Sequence, residues 1–123
     1  MKVLIVDDSR AMRIMLARFM TELGFETRDA SNGKEALVAL GAGLPDLVLV
    51  DWNMPEMNGL EFVQAVRADQ RFNALPLVMV TTETEMSQMT KALEEGANEY
   101  VMKPFTKDVL QAKLEMLGLT QAG

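Results

Sequence analysis

Apolar and polar positions alternate in blocks along this chain. Val3-Leu4-Ile5-Val6, Leu47-Val48-Leu49-Val50 and Leu77-Val78-Met79-Val80 are unbroken apolar runs. A strand covered by helices on both faces has no side left for water, so these runs predict interior strands of a parallel sheet. Phe25 to Ala30 and Glu99 to Lys103 mix polar with apolar residues and predict the sheet edges. Between the strands the period changes. Met12, Met15, Leu16, Phe19, Met20 and Leu23 recur at helical spacing and define one buried face, with Ser9 as N-cap and Gly24 as stop. Similar patterns predict helices over Lys34–Leu40, Leu60–Ala68, Met86–Glu95 and Thr106–Leu117, with Gly96 and Gly118 closing the last two. Pro45 and Pro76 stand just ahead of strands, where a missing N–H is tolerated.

Strand followed by helix, five times over, predicts an α/β fold: a doubly wound, five-stranded parallel sheet with helices on both faces. No linker or low-complexity tract interrupts the chain, so residues 1–123 read as one domain.

Composition narrows the chemistry. With 49% hydrophobic and 24% charged residues the chain can bury a core. It contains neither Cys nor His, which excludes disulfides, thiolate catalysis and an imidazole base or ligand. Polar chemistry must rest on carboxylates, hydroxyls, amides, Lys and Arg. A net charge of −6 argues against direct nucleic-acid binding. The apolar runs fall far short of the ~20 residues that span a membrane, and the N-terminus turns acidic before a signal-peptide core develops. The expected location is the cytoplasm. Most of the 11 Met residues fall on core faces and read as adaptable packing, and Trp52 is expected to be partly exposed.

In such sheets ligands bind beyond the carboxyl ends of the strands. Asp7 and Asp8 follow the first apolar run, Asp51 the third, Thr81 the fourth, and Lys103-Pro104 the fifth. Taken singly, each acid could be a cap on a helix or turn. Taken together, three carboxylates at one edge repel one another by roughly 4 kcal/mol per pair at ~4 Å. That repulsion favours a hard cation held by oxygen, with Mg²⁺ ahead of Mn²⁺ and Ca²⁺. Lys103 can balance the acids or neutralise an incoming phosphoryl group.

These residues carry a resemblance. Asp7-Asp8 behind VLIV, the DWNMPEMNG segment from Asp51 to Gly59, the Thr81 that ends LVMVT, and Lys103-Pro104-Phe105 together resemble bacterial response-regulator receiver domains, and DWNMP those of the chemotaxis type. The similarity extends from Lys2 to about Leu117. It implies a (βα)5, flavodoxin-like fold of strand order 2-1-3-4-5. It makes Asp51 the phosphorylated nucleophile and Asp8, Asp51 and the Asn53 carbonyl the Mg²⁺ ligands, with Asp7 acting through water. Thr81 and Lys103 would hold phosphoryl oxygens, and the Lys103–Pro104 bond would be cis. Tyr100 would be the switch aromatic of an output face made by the fourth helix, fifth strand and fifth helix, with Lys91, Glu94 and Lys107 exposed there. Asn53 and Glu83 would tune the lifetime of the phosphoryl group. The implied partners are a sensor histidine kinase or phosphotransfer protein as donor, a downstream protein such as the flagellar motor switch, and a phosphatase.

Two other functions fit less well. A haloacid-dehalogenase-type phosphatase uses similar groups but needs its nucleophile in a D-x-D motif after the first strand, where this chain has Asp7-Asp8. A receiver that is never phosphorylated would lack some of the site residues. The chain starts with Met just before the first strand and ends soon after the fifth helix, and a stand-alone regulator is therefore expected.

Overall fold

The computed structural model describes residues 1–119, apart from the side chain of Glu83. Five strands form one sheet: β1 (Lys2–Val6), β2 (Glu26–Ala30), β3 (Leu47–Asp51), β4 (Leu77–Thr81) and β5 (Glu99–Met102). Their order is β2-β1-β3-β4-β5, and every pairing is parallel. The helices are α1 (Arg10–Glu22), α2 (Gly33–Ala42), α3 (Gly59–Arg67), α4 (Met89–Glu95) and α5 (Lys107–Met116). The expected doubly wound α/β architecture is observed, with β2 and β5 at the edges.

The continuous apolar runs are buried on both sides. Leu4 and Val6 in β1, Val48 and Val50 in β3, and Met79 in β4 pack with Leu40, Phe62, Val66 and Ala92 on the α2–α3–α4 face. Their neighbours Val3, Ile5, Leu47, Leu49, Val78 and Val80 pack with Leu16, Met20, Leu110 and Leu114 beneath α1 and α5. Each such side chain contributes about 1.5–3 kcal/mol through burial. Ser9 caps α1 as expected, accepting from the Met12 N–H, and Asn58 forms a capping box with Glu61 at α3.

The fourth helix differs from the expectation. Glu83–Gln88 is a 3₁₀ segment, and α4 proper begins only at Met89. Short polar side chains bond to the local backbone there: Glu85 accepts from both the N–H and the hydroxyl of Thr82, and Thr82 and Thr84 share a hydroxyl contact of 2.9 Å. Such contacts favour tight turns over a regular helix.

Trp52 is a second correction, since it is buried rather than partly exposed. The Trp52 N–H donates to the Val80 carbonyl and continues the β3 ladder. Period-two alternation then carries its indole inward on the face of Val48 and Val50. Gly59 makes this possible. A Cβ there would meet Met79 Cε, stand 2.9 Å from Trp52 Cα and 3.0 Å from the Asp51 carbonyl, so only glycine lets α3 start so close to β3.

Candidate functional site

Parallel strands bring their carboxyl ends to one edge, and β1 and β3 are neighbours there. Asp7 follows β1 directly and Asp51 ends β3. One carboxylate oxygen from each of Asp7, Asp8 and Asp51 lies within 4.8 Å of the others. Asp7 and Asp51 are buried, whereas Asp8 is exposed. From the end of β5, Lys103 reaches over the cluster, its Nζ 3.1 Å from Asp51 Oδ1 and 3.9 Å from Asp7 Oδ2. The Lys103–Pro104 bond is cis.

Burial, reinforced by the negative charge of Asp7, pushes the Asp51 carboxyl up to about 6, against the pull of Lys103. Asp7 is also raised, chiefly by burial, while the Ser9 N–H and Lys103 oppose the shift. Asp7 Oδ1 accepts the Ser9 N–H at 2.8 Å. Asp7 Oδ2 is buried without a hydrogen-bond partner. An orphaned carboxylate oxygen inside an acid cluster costs free energy unless something cationic faces it. Three carboxylates against one ammonium leave two negative charges, and the donors are all oxygen. The residues present therefore fit a hard divalent cation.

Thr81 is fully buried at the end of β4. Its hydroxyl lies 3.3 Å from the Thr82 carbonyl and 3.5 Å from Glu85 Oε1, in no hydrogen bond with the acids. Asn53 is exposed in the loop after β3, and its side chain makes no described bond to the cluster. Tyr100 lies on β5, half-buried against the α4 side, with Lys113 Nζ 4.8 Å from its ring centroid. Glu83 was expected to tune the site, but its side chain lies outside the described residues. Lys91 and Glu94 are exposed on α4, and Lys107 on α5 is half-exposed, 3.7 Å from Glu22.

Two contacts at the site had no signal in the sequence. Arg13 donates to the Asp7 carbonyl, and Glu85 holds the start of the segment after Thr81. Arg13 looks no different in sequence from Arg10 or Arg18, because all three occur in one helix with nothing to mark which faces β1.

The chain as a whole has counterparts among known proteins in both sequence and fold. The profile of the response regulator receiver domain matches residues 3–115. The chain belongs to the response-regulator receiver family. This receiver domain is 47% identical over 119 residues to the chemotaxis protein CheY1 of Helicobacter pylori, covering 95% of this chain and 96% of the relative. It is 45% identical to the chemotaxis protein CheY of Pseudomonas aeruginosa, over 95% of each chain. Among solved structures, the chemotaxis protein CheY4 of Vibrio cholerae superposes with a TM-score of 0.87 at 36% identity, over 94% of this chain and 96% of that one. A receiver domain is the phosphoacceptor of a two-component relay, and the expected family and strand order are both borne out. No helix among the described residues is long and apolar enough to cross a membrane.

Proposed function

We propose that this receiver domain is a chemotaxis-type response regulator that accepts a phosphoryl group on Asp51. The observation that carries the reading is the buried Asp51 carboxylate with Lys103 Nζ at 3.1 Å and a partnerless Asp7 Oδ2 in the same acid cluster. Asp8, Asp51 and the Asn53 carbonyl would hold Mg²⁺, with Asp7 supporting the site. When bound, Mg²⁺ supplies the positive charge that lets an anionic phosphoryl group approach the carboxylates.

A carboxylate oxygen of Asp51 attacks phosphorus, forming an O–P bond as the donor's P–N bond breaks and the imidazole of its phosphohistidine leaves. This chain has no His, so the donor is another protein, a sensor kinase or a phosphotransfer protein. In this reading Lys103, 3.1 Å from Asp51 Oδ1, neutralises a phosphoryl oxygen, and the Thr81 hydroxyl donates to one after leaving the Thr82 carbonyl. Positioning and charge do most of the work in phosphoryl transfer, and the chain needs no further catalytic group. It is a switch that acts on its own Asp51, not a turnover enzyme.

The output face is α4, β5 and α5. Leu93, Met102, Val109 and Met116 are exposed apolar residues on these elements, interspersed with Lys91, Glu94 and Lys107. This composition suits a protein partner, such as the flagellar motor switch, and a phosphatase. The domain comprises residues 1–123, acts in the cytoplasm, and contacts neither nucleic acid nor membrane.

Intact-protein mass after incubation with acetyl phosphate tests the reading. A gain of one phosphoryl group that needs Mg²⁺ and disappears in Asp51→Asn is expected. A folded protein that gains no mass from acetyl phosphate or phosphoramidate would instead be a receiver working without phosphorylation.

A further inference from the structure

We infer that Arg13 is a positioning residue for the acid cluster, and this rests on the metal-binding reading above. Its side chain lies only 16% exposed against the junction of β1 and α1. One guanidinium nitrogen donates to the Asp7 carbonyl at 2.7 Å, and Nε donates to Asp29 Oδ2 at 2.9 Å. Asp29 sits in β2 opposite Ile5, so one side chain ties α1 to the ends of both β1 and β2.

The contacts around Asp7 engage its backbone and one of its carboxylate oxygens. The Asp7 N–H donates to the Ala30 carbonyl at 3.1 Å. The Asp7 carbonyl accepts from Arg13, and Oδ1 accepts from the Ser9 N–H. Both peptide groups flanking Asp7 are thereby fixed, and one carboxylate oxygen is engaged. Oδ2 is left free and buried, facing Lys103. Asp8 lies between the two anchored residues, so the same clamp fixes the backbone that presents it. Arg13 forms no hydrogen bond with any of the three carboxylates of the cluster. It acts by holding the loop that carries two of the three carboxylates.

Charge and position predict opposite results. A guanidinium near a cation site repels the cation, so losing its charge alone would tighten Mg²⁺ binding. Losing the clamp loosens the carboxylates and weakens binding, as removal of outer supports of metal ligands does.

The test is a titration with Mg²⁺ alone, read by the emission of Trp52, on wild type, Arg13→Ala, Arg13→Lys and Asp29→Asn. Each variant is first shown to melt cooperatively in chelator. Positioning predicts that Arg13→Ala weakens Mg²⁺ about tenfold. Arg13→Lys, which keeps the charge and a donor for the carbonyl, stays close to wild type. Asp29→Asn, which loses the ion pair but not the bond to Asp7, also stays close. If Arg13→Ala does not fold, Arg13→Met, which retains the aliphatic stem, takes its place. Unchanged or tighter binding in the truncated variant overturns the inference, and so does an equal loss in Asp29→Asn. A wild type that binds no Mg²⁺ removes the metal reading itself, and Arg13's role with it.

Discussion

The ammonium of Lys103 lies 3.1 Å from Asp51 Oδ1, joining the end of β5 to the end of β3 across the intervening β4. This pair is largely buried, with side-chain exposures of 23% and 7%. Lys103 therefore balances the acids at rest, and under the proposed function it would also meet the charge of an incoming phosphoryl group.

Lys103→Met separates these two duties. Without the ammonium the cluster is more negative, so Mg²⁺ binds more tightly. Phosphorylation by acetyl phosphate slows about 100-fold or more, because a preorganised cation no longer meets the charge on the phosphoryl group. Rates of mass gain and an Mg²⁺ titration check both halves. Weaker Mg²⁺ binding with an unchanged rate would rule out both duties.

The raised Asp51 carboxyl makes the metal-free protein sensitive to pH. Its folded value of about 6 exceeds the unfolded 3.8, so between these values the native state binds more protons than the unfolded one. The Asp51 contribution to stability therefore falls as pH rises through that window, by about 3 kcal/mol in order of magnitude. Asp51→Asn removes the ionisation. In chelator the variant should be more stable than wild type at pH 7 and equal to it near pH 4. Urea unfolding with EDTA measures this, and a wild type that gains stability from pH 4 to pH 7 relative to the variant contradicts it. Added Mg²⁺ should stabilise wild type more than the variant.

The strands, the two sheet edges and the gathering of Asp7, Asp8, Asp51 and Lys103 were legible because they depend on coarse rules, whereas the strand order came only through the family resemblance. Apolar runs mark interior strands, and parallel strands bring their ends to one edge. What escaped the sequence depends on atomic detail. Trp52 was expected partly outside because it adjoins polar Asp51 and Asn53, yet strand alternation and the absence of a side chain at Gly59 carry it inward. The 3₁₀ start before α4 depends on where the Glu85 carboxylate lands. Helical spacing from Met86 to Glu95 carries no record of that.

Glu56 has a left-handed backbone, φ 67°, in the loop between β3 and α3. A side chain with a Cβ is strained there, and its ion pair with Lys34 at 3.7 Å is exposed and adds little. Glu56→Gly should therefore raise the unfolding free energy measured by urea by about 0.5–1 kcal/mol, relief of the strained backbone outweighing the added freedom of the unfolded chain. Phosphorylation by acetyl phosphate should stay near wild type. A loss of stability would mean that the entropy glycine adds to the unfolded chain, or the Lys34 pair, outweighs the backbone strain at Glu56.

Under the proposed function, Tyr100 is expected to connect the site to the output face. It pairs in register with Met79, two residues before Thr81, so by alternation Thr81 and Tyr100 belong to the same side of the sheet, toward α4. Lys113 of α5 stands over the ring and is itself held by Glu99 at 3.1 Å, which links the ring to α5. The proposed function therefore predicts that a hydroxyl shift at Thr81 is transmitted to α5 by way of this ring. Tyr100→Ala should still gain one phosphoryl group in Mg²⁺, at a stability cost of about 1–3 kcal/mol for truncating a half-buried aromatic. Hydrogen exchange reads the transmission. Phosphorylation should alter protection across α4, β5 and α5 in wild type, and the change at β5 and α5 should shrink in the variant. An undiminished change there would mean that the signal leaves Thr81 through the 3₁₀ segment and α4 without passing the ring.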